Sequence, residues 1–226
     1  MIGVFDSGLG GLCSLSELQK RMPREDKIYL ADRKNLPYGT KSEKELLPLV
    51  GRDISRLRDY GCRKILIACC TASTLYPLLS EEDRKICIPI IFPAAIAAAG
   101  GKKTTVIATE RTVKSRAFSR AISELSDSSV TEIPAGELVL LAESGEADGC
   151  LTKRGEETLS SVAKRVLFSE ADTLILGCTH FSHFEGSLSE LLPGVKIVSA
   201  AREGAVALVE RAGCLFERGR VAYTEN

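Results

Sequence analysis

Two apolar runs that each end in a cysteine and a threonine constrain the fold of this chain more than any other feature. The run Asp172–His180 reads Asp-Thr-Leu-Ile-Leu-Gly-Cys-Thr-His, and the earlier run Ile65–Thr71 reads Ile-Leu-Ile-Ala-Cys-Cys-Thr. Short apolar runs of this kind are typical of strands buried in a parallel sheet. Ligands of open α/β sheets bind at the carboxyl ends of the strands. We therefore expect Cys69 and Cys178 to end two strands at a functional site.

The composition argues against several classes of protein. The 226 residues are 44% hydrophobic and 27% charged, which suits one large or two small globular domains. Because 30 basic residues balance 30 acidic ones, the net charge gives no electrostatic case for binding nucleic acid or an anionic membrane. Met1 runs directly into the strand-like Ile2–Phe5 without a basic leader, and no apolar stretch has the length of a membrane span. We therefore expect a cytosolic protein with reduced cysteines.

Strand-like runs alternate with helical patterns along the whole chain, which predicts parallel sheets. The runs are Ile2–Phe5, Ile28–Ala31, Lys64–Cys69, Ile86–Ile91, Thr105–Thr109, Val130–Pro134, the run before Cys178, and Lys196–Ser199. The predicted fold class is α/β, with two similar doubly wound parallel-sheet domains related by pseudo-two-fold symmetry and the active site between them. We expect residues 1–95 plus 201–226, with a returning C-terminal helix, to form the first domain and residues 96–200 to form the second.

Helices are predicted between these strands by the spacing of apolar residues. They are Leu12–Met22, Glu43–Tyr60, Val113–Leu125, Gly136–Glu143, Arg154–Phe168, Ser182–Leu192 and Ala201–Glu217. Ser42 and Glu45 form a capping-box pattern at the start of the second helix, and Gly61 suits its carboxyl end. Pro48 is expected to break or kink that helix.

Two loops between these elements are candidate binding segments. The glycine-rich turn Asp6–Gly11 lacks the spacing of a nucleotide-binding loop, so it predicts either a site for a carboxylate-sized anion or an ordinary turn in which Asp6 caps the helix. The loop Asn35–Gly39 is either a simple turn or a rigid segment that presents backbone amides and the hydroxyl of Tyr38.

A pair of cysteines at matched strand ends suggests acid–base chemistry at carbon. A position beside a helix N-terminus can lower the pKa of a thiol from about 8.5 toward neutrality. If two such thiols flank one ligand, a thiolate removes a proton from one side and a thiol returns a proton from the other, which inverts a stereocentre without a cofactor. Such chemistry also needs fixed donors that stabilise negative charge. Suitable hydroxyl groups are those of Ser7, Thr71, Thr109, Thr112 and Thr179.

Other interpretations of the polar residues remain open at this point. A single cysteine at a strand end is commonly a small buried hydrophobe, and Cys13, Cys62, Cys87, Cys150 and Cys214 lie in contexts that indicate structural positions. Cys178, His180 and His183 offer zinc ligands, although their spacing is unlike that of common zinc sites. Adjacent Cys69 and Cys70 suit a redox pair poorly because neighbouring cysteines rarely form an unstrained disulfide. Asp6 is expected to steer Cys69, and His180 to steer Cys178.

Five motifs together resemble those of the bacterial glutamate racemase family. They occur in the family's order over nearly the whole chain, and they begin at Asp6 (Asp-Ser-Gly-x-Gly-Gly), Pro37 (Pro-Tyr-Gly), Ala68 (Ala-Cys-x-Thr-Ala), Thr109 (Thr-x-x-Thr) and Leu176 (Leu-Gly-Cys-Thr-His). The resemblance implies a cofactor-independent two-thiol racemase that converts L-glutamate to D-glutamate for peptidoglycan. It further implies a homodimer in a bacterial cytoplasm and no bound metal.

By the same resemblance, Cys69 and Cys178 are the two bases, and Asp6 and His180 assist them. Glu143 resembles a further acidic residue that supports the histidine. The substrate-binding residues implied by the motifs are Asp6, Ser7, Pro37, Tyr38, Gly39, Cys70, Thr71, Thr109, Thr112, Thr179 and His180.

The chain departs from the family pattern at several positions. Cys70 stands where the family usually has an asparagine that holds the substrate, Phe181-Ser182 replaces Tyr-Pro, and the stretch Asp32–Leu36 differs from the usual sequence. The chain is also shorter than most members. We therefore keep two alternative functions, a racemase or isomerase of another small acid such as aspartate and a non-catalytic protein that binds an amino acid.

Overall fold

The computed structural model describes residues 1–212 and 221–225, and in this part of the chain nine strands form two parallel sheets. The first sheet has the order β4-β3-β1-β2-β9, with β1 Ile2–Asp6, β2 Lys27–Ala31, β3 Lys64–Ile67, β4 Cys87–Pro89 and β9 Val221–Glu225. The second has the order β6-β5-β7-β8, with β5 Lys103–Ala108, β6 Ser129–Pro134, β7 Thr173–Gly177 and β8 Lys196–Ser199.

The two sheets share one topology. Read from the opposite edge, the second sheet runs β8-β7-β5-β6, which is the order β4-β3-β1-β2 of the first sheet. Every strand pair is parallel. In each sheet a crevice opens at the carboxyl ends of two neighbouring strands, β1 and β3 in the first sheet and β5 and β7 in the second. It opens there because the connections that follow the two strands run toward opposite edges of the sheet. The prediction of two α/β parallel sheets is confirmed, and the domain boundaries at residues 95 and 200 stay a prediction.

Eleven α-helices occur among the described residues. Their bounds are α1 Leu12–Arg21, α2 Glu43–Asp59, α3 Cys70–Ser73, α4 Glu81–Ile86, α5 Ile91–Ala98, α6 Glu110–Ser115, α7 Ala117–Ser123, α8 Glu137–Glu143, α9 Lys153–Phe168, α10 Glu185–Leu191 and α11 Ala200–Ala212. Short 3-10 helices cover Arg33–Asn35, Tyr38–Thr40, Tyr76–Leu78 and Thr179–Phe184. Within the described ranges, no helix combines the length and apolar character needed to cross a membrane.

The sheets pack around one central core and two outer cores. Side chains that alternate along a strand face opposite sides of its sheet, so Val4 enters the central core while Phe5 enters the outer core beneath α2. In β7, Ile175 faces the central core and its neighbours Leu174 and Leu176 face the outer core beneath α9. The central core is shared by both sheets and includes residues of α1, α5, α7 and α11. Packing in this central core holds the two sheets together.

Several helix predictions differ from the structure. Helix α2 runs through Pro48, so of the predicted break or kink the break is wrong and the kink stays a prediction, while the capping box of Ser42 and Glu45 is present. The single helix predicted over Val113–Leu125 is two helices, because Arg116 takes a left-handed conformation with a φ of 54°. The end of the helix predicted over Ala201–Glu217 lies outside the described residues beyond Ala212, as does Cys214.

Two helical glycines provide a matched test of packing. A Cβ at Gly51 in α2 would have no atom within 4 Å, whereas a Cβ at Gly204 in α11 would overlap Cγ2 of Ile90 in the central core. We expect Gly51→Ala to raise the free energy of unfolding by about 0.5–1 kcal/mol, because alanine is the better helix former. Gly204→Ala should lower it by about 1–3 kcal/mol through overpacking. Urea denaturation measures both, and an equal effect of the two changes would contradict this account of the core.

Candidate active site

A cavity of about 340 Å³ lies where the carboxyl ends of strands from both sheets meet. It is lined by residues that follow β1, β2, β3, β5, β6 and β7, namely Ser7, Leu36, Pro37, Tyr38, Gly39, Thr40, Cys69, Thr71, Thr109, Glu110, Gly136, Glu137, Val139, Leu140, Cys178, Thr179 and His180. The structure therefore brings Cys69 of one sheet and Cys178 of the other to a single cavity, at the position that the topology favours for a ligand.

Cys69 occupies a buried position just beyond β3. Its side chain is 6% exposed, and its thiol donates to Oγ of Ser7 at 3.6 Å. Burial and the charge of Asp6 raise the pKa of Cys69 to about 12. The expectation of a lowered thiol pKa is wrong at this position, because α3 has only four residues and its dipole is outweighed by desolvation. Cys69 is consequently a neutral thiol at neutral pH.

Cys178 has a different electrostatic environment. Its sulfur lies 3.7 Å from Nδ1 of His180, and Nε2 of the same ring lies 2.6 Å from Oε1 of Glu143. Burial alone would lower the pKa of His180, but the hydrogen bonds with Cys178 and Glu143 and the nearby negative charges raise it to about 10. The bond to His180 lowers the pKa of Glu143. A protonated imidazole therefore stands beside one of the two sulfurs.

Asp6 links the two sheets from beneath the cavity. Its fully buried carboxylate accepts bonds from the Thr179 hydroxyl at 2.9 Å and from the Gly8 amide at 2.8 Å. Burial raises the pKa of Asp6, while His180 and these donors oppose the shift. The predicted alternative that Asp6 caps α1 is wrong, since Gly11 occupies the cap position without a side-chain bond. The influence of Asp6 on Cys69 is electrostatic, through its charge.

The glycine-rich turn after β1 supports His180 and does not line the cavity beyond Ser7. A Cβ at Gly10 would lie 2.6 Å from Nδ1 of His180 and 2.7 Å from its backbone nitrogen. At Gly11 it would lie 2.7 Å from Cβ of Asp6. Glycine is therefore required here for close approach between the two halves of the site, and the anion-binding interpretation of this turn, whose Ser7 lines the cavity, stays a prediction.

Three threonines form a second connection between the sheets. The hydroxyl of Thr71, after β3, lies 3.0 Å from that of Thr109 and 3.2 Å from that of Thr112, both of which follow β5. Thr71 and Thr109 line the cavity, while Thr112 is fully buried behind them. Each hydroxyl can both donate and accept a hydrogen bond. One threonine of the cluster can therefore donate to a ligand while its oxygen still accepts a hydrogen bond from a neighbouring threonine.

The loop after β2 forms another wall of the cavity. The hydroxyl of Tyr38 donates to Oδ2 of Asp32 at 2.6 Å, so it is held by the protein where the sequence suggested a free hydroxyl. Asp32 also accepts from Asn35 at 2.8 Å and pairs with Arg52 at 3.0 Å. A Cβ at Gly39 would lie 2.9 Å from Cβ of Thr109. The role of Asp32 in fixing this loop was missed, although a carboxylate directly after a strand was a signal for it.

Four of the predicted site residues lie behind the lining. Asp6, Thr112 and Glu143 act on lining residues through hydrogen bonds. Cys70 is 2% exposed and belongs to the central core with Ala68 and Ile88. The apolar wall of Leu36, Val139 and Leu140 was not predicted, because its members come from loops and helices whose patterns only indicate burial.

The residues considered as zinc ligands separate into two groups. His180 contacts Cys178 and Glu143, whereas Nε2 of His183 lies 3.9 Å from the sulfur of Cys13. Within residues 1–212 and 221–225, no group of three or more histidine, cysteine and acidic side chains has the arrangement of a metal site.

Comparison with known proteins identifies the class of enzyme that this fold and site define, the racemases. The chain belongs to the Asp/Glu/Hydantoin racemase family, whose model matches residues 15–208. It is 34% identical to a glutamate racemase of Picosynechococcus over 213 residues, 93% of this chain and 75% of that protein. It is 38% identical to a glutamate racemase of Gloeobacter violaceus over 200 residues, 85% of this chain and 73% of that protein.

Solved structures agree with this assignment. A glutamate racemase isoform of Bacillus anthracis superposes with a TM-score of 0.89 at 29% identity, over 100% of this chain and 88% of that chain. A glutamate racemase of Francisella tularensis, solved in complex with D-glutamate, superposes with a TM-score of 0.83 at 26% identity, over 100% of this chain and 88% of that chain. The predicted family and the prediction of a racemase are confirmed.

Titration of the two histidines tests the electrostatics of the site. In an NMR titration, His180 should titrate well above 6.5, and His183, whose pKa is lowered by burial, should titrate below it. Glu143→Gln should move the pKa of His180 downward by removing its hydrogen-bonded acidic partner, and it should change the pKa of His183 much less, because the charge of Glu143 is a minor influence there. A value for His180 at or below 6.5 in the wild type would contradict the described contacts.

The same shift predicts how stability depends on pH. Because the pKa of His180 is about 10 in the folded protein and 6.5 ordinarily, its protonation stabilises the fold fully below pH 6.5 and less as the pH rises toward 10. Because the bond to His180 lowers the pKa of Glu143 from 4.5, the pair stabilises the fold most between pH 4.5 and pH 6.5. The free energy of unfolding of Glu143→Gln should therefore fall short of the wild type most in that window, and the gap should narrow toward pH 10 and below the pKa of Glu143. Denaturation curves across this range measure the gap, and a constant gap would argue against the linkage.

Proposed function

We propose that this protein is a glutamate racemase that interconverts L- and D-glutamate with two cysteines and no cofactor. The observation that carries the proposal is the placement of Cys69 and Cys178, from different sheets, on one cavity of about 340 Å³. The substrate is inferred from the relatives, which are named glutamate racemases, and from the neighbour solved in complex with D-glutamate.

The unequal surroundings of the two thiols suggest their roles. Cys69 holds its proton because burial and Asp6 disfavour its anion, so it is the proton donor of the resting site. Cys178, beside the protonated His180, removes the proton from Cα of the substrate as a thiolate. The electron pair of the C–H bond then delocalises into the carboxylate, and the thiol of Cys69 gives its proton to the other face of Cα.

The protons of the two thiols balance over a full catalytic cycle. After one inversion the proton has moved, so Cys178 is a thiol and Cys69 is a thiolate. This is the state needed to convert the product enantiomer back, and proton exchange with water restores the starting state. The reaction therefore runs in both directions with the same two groups exchanging roles.

Negative charge that develops on the substrate needs fixed donors. The hydroxyls of Thr71, Thr109 and Thr179 line the cavity, and the first two are held by mutual hydrogen bonds. Donors that are already oriented stabilise a developing anion without the cost of reorganisation. The low exposure of Cys69 and Cys178 strengthens these interactions further, because water is largely excluded.

A related function remains an alternative, the racemisation or isomerisation of another small acid such as aspartate. The sequence favoured it because Cys70 replaces a residue expected to hold the substrate. Cys70 lies in the central core and is absent from the cavity lining. Any effect of this substitution on specificity would therefore act through the position of α3. A non-catalytic amino-acid-binding protein is the third candidate.

The proposed biological role follows from the product. D-glutamate is a component of bacterial peptidoglycan, and the relatives come from bacteria. We propose that the protein supplies D-glutamate for the cell wall from the cytoplasm and acts as a homodimer.

Solvent exchange in D2O tests the function. Incubation with L-glutamate should produce the D-enantiomer with deuterium at Cα, and D-glutamate should give the reverse, as followed by proton NMR and chiral chromatography. Faster exchange of aspartate than of glutamate would favour the alternative substrate. Calorimetric binding of glutamate without any exchange would replace the proposal with the binding-protein function.

Single substitutions test the two-thiol mechanism. Cys69→Ser and Cys178→Ser should each lower kcat by about 10²–10⁴-fold, since each removes one acid–base group. The residual exchange at Cα should favour one enantiomer in the first variant and the other enantiomer in the second. Cys150→Ser, which changes an exposed thiol outside the cavity, is the matched control and should be fully active. Full activity of either cavity variant would eliminate the mechanism.

A further inference from the structure

A second cavity, of about 450 Å³, adjoins the catalytic cavity. Its lining is Gly39, Thr40, Lys41, Ser42, Glu110, Arg111 and Lys114. The residues Gly39, Thr40 and Glu110 line both cavities, so the two share a wall built from the loop after β2 and the start of α6. We call this second cavity the basic pocket.

The two cavities carry opposite charge. The described residues lining the basic pocket include three cations, Lys41, Arg111 and Lys114, and one carboxylate, Glu110. Those lining the catalytic cavity include the carboxylates of Glu110 and Glu137 and no lysine or arginine. Among these described lining residues, the imidazolium of His180 is the single cation that the catalytic cavity offers a dicarboxylate, and the adjacent pocket supplies three more.

The carboxylates near the basic pocket are held in other contacts. Glu45 accepts hydrogen bonds from the amide and hydroxyl of Ser42 at 2.8 Å and 2.6 Å. The carboxylate of Glu110 lies against Gly136, where both its oxygens would be 2.8 Å from a Cβ. The carboxylate of Glu43 is 59% exposed and forms a long ion pair with Nη2 of Arg111 at 3.7 Å, and an exposed pair of this kind is weak enough for another anion to compete with it. These acids leave the pocket cations able to bind a further anion.

Arg111 supplies an independent indication of a ligand. Its side chain is 17% exposed, and its buried Nε has no hydrogen-bond partner among the described residues. A buried donor without an acceptor is destabilising, and a guanidinium is well suited to a carboxylate or phosphate. An anion in the basic pocket would provide the missing acceptor.

We propose that the basic pocket is an anion-binding site that collects the acidic substrate beside the catalytic cavity. Its ligands are small carboxylates, dicarboxylates above all, bound by Lys41, Lys114 and the guanidinium of Arg111. The inference rests on the proposed function for the identity of the substrate, but the site itself binds anions whether or not they are turned over. Clefts lined by one sign of charge raise the local concentration of ligands of opposite sign.

Steady-state kinetics at varied ionic strength test the capture of substrate. Lys41→Gln/Lys114→Gln should lower kcat/KM for glutamate by about 3–10-fold at low salt, within the range of electrostatic steering. It should leave kcat unchanged and flatten the decline of kcat/KM with added NaCl. The control Lys153→Gln/Lys164→Gln removes the same charge from exposed positions of α9 and should keep the wild-type salt dependence. Identical salt slopes in the two double variants would overturn the proposal.

Thermal unfolding with inorganic phosphate tests the site without catalysis. Phosphate should raise the Tm of the wild type and the control, and the increment should be smaller in Lys41→Gln/Lys114→Gln and in Arg111→Gln. Without phosphate, Arg111→Gln should be nearly as stable as the wild type, because Nε has no hydrogen-bond partner among the described residues and the ion pair of Nη2 with Glu43 is long and exposed. A destabilised Arg111→Gln that keeps the full phosphate increment would overturn the proposal. The wild type could also fail to exchange glutamate while phosphate raises its Tm more than that of the pocket variants. That result would refute the proposed function and would still support the basic pocket as an anion-binding site.

Discussion

The buried hydrogen bond from Thr179 to Asp6 is the contact on which the site depends. It joins the residue that ends β1 in one sheet to the loop after β7 in the other, at 2.9 Å and without exposure to water. Gly10 and Gly11 make this junction possible, since any side chain there would collide with His180 or Asp6. The threonine cluster after β3 and β5 forms a parallel connection. Because these two connections hold the sheet edges together, the two sulfurs share one cavity.

Electrostatic asymmetry is the second property of the site. One thiol is buried beside a carboxylate, and the other lies beside an imidazole whose protonated form is stabilised by Cys178 and Glu143. Burial magnifies both effects, because charges in a poorly solvated site interact more strongly than charges in water. The two matched strand ends thus place their thiols in different electrostatic environments.

The wall formed by the loop after β2 is held by a buried carboxylate. Asp32 accepts from Tyr38 and Asn35 and pairs with Arg52, so the cavity wall is fixed to the first sheet and to α2. The same loop carries Gly39 and Thr40 to the boundary between the catalytic cavity and the basic pocket. A single well-anchored loop therefore shapes both cavities, and its glycine permits close contact with Thr109 of the other half.

The amino-acid sequence by itself determined the elements whose signals are local. Alternating strands and helices, the capping box of Ser42 and the matched positions of Cys69 and Cys178 follow from periodicity and chain order. Tertiary structure alone decided which way each side chain faces and how strongly it is desolvated. Cys69 and Cys70 are neighbours in sequence, yet one lines the cavity and the other lies in the central core. The pKa of Cys69 rises for the same reason, because burial and the charge of Asp6 arise only when distant segments pack together.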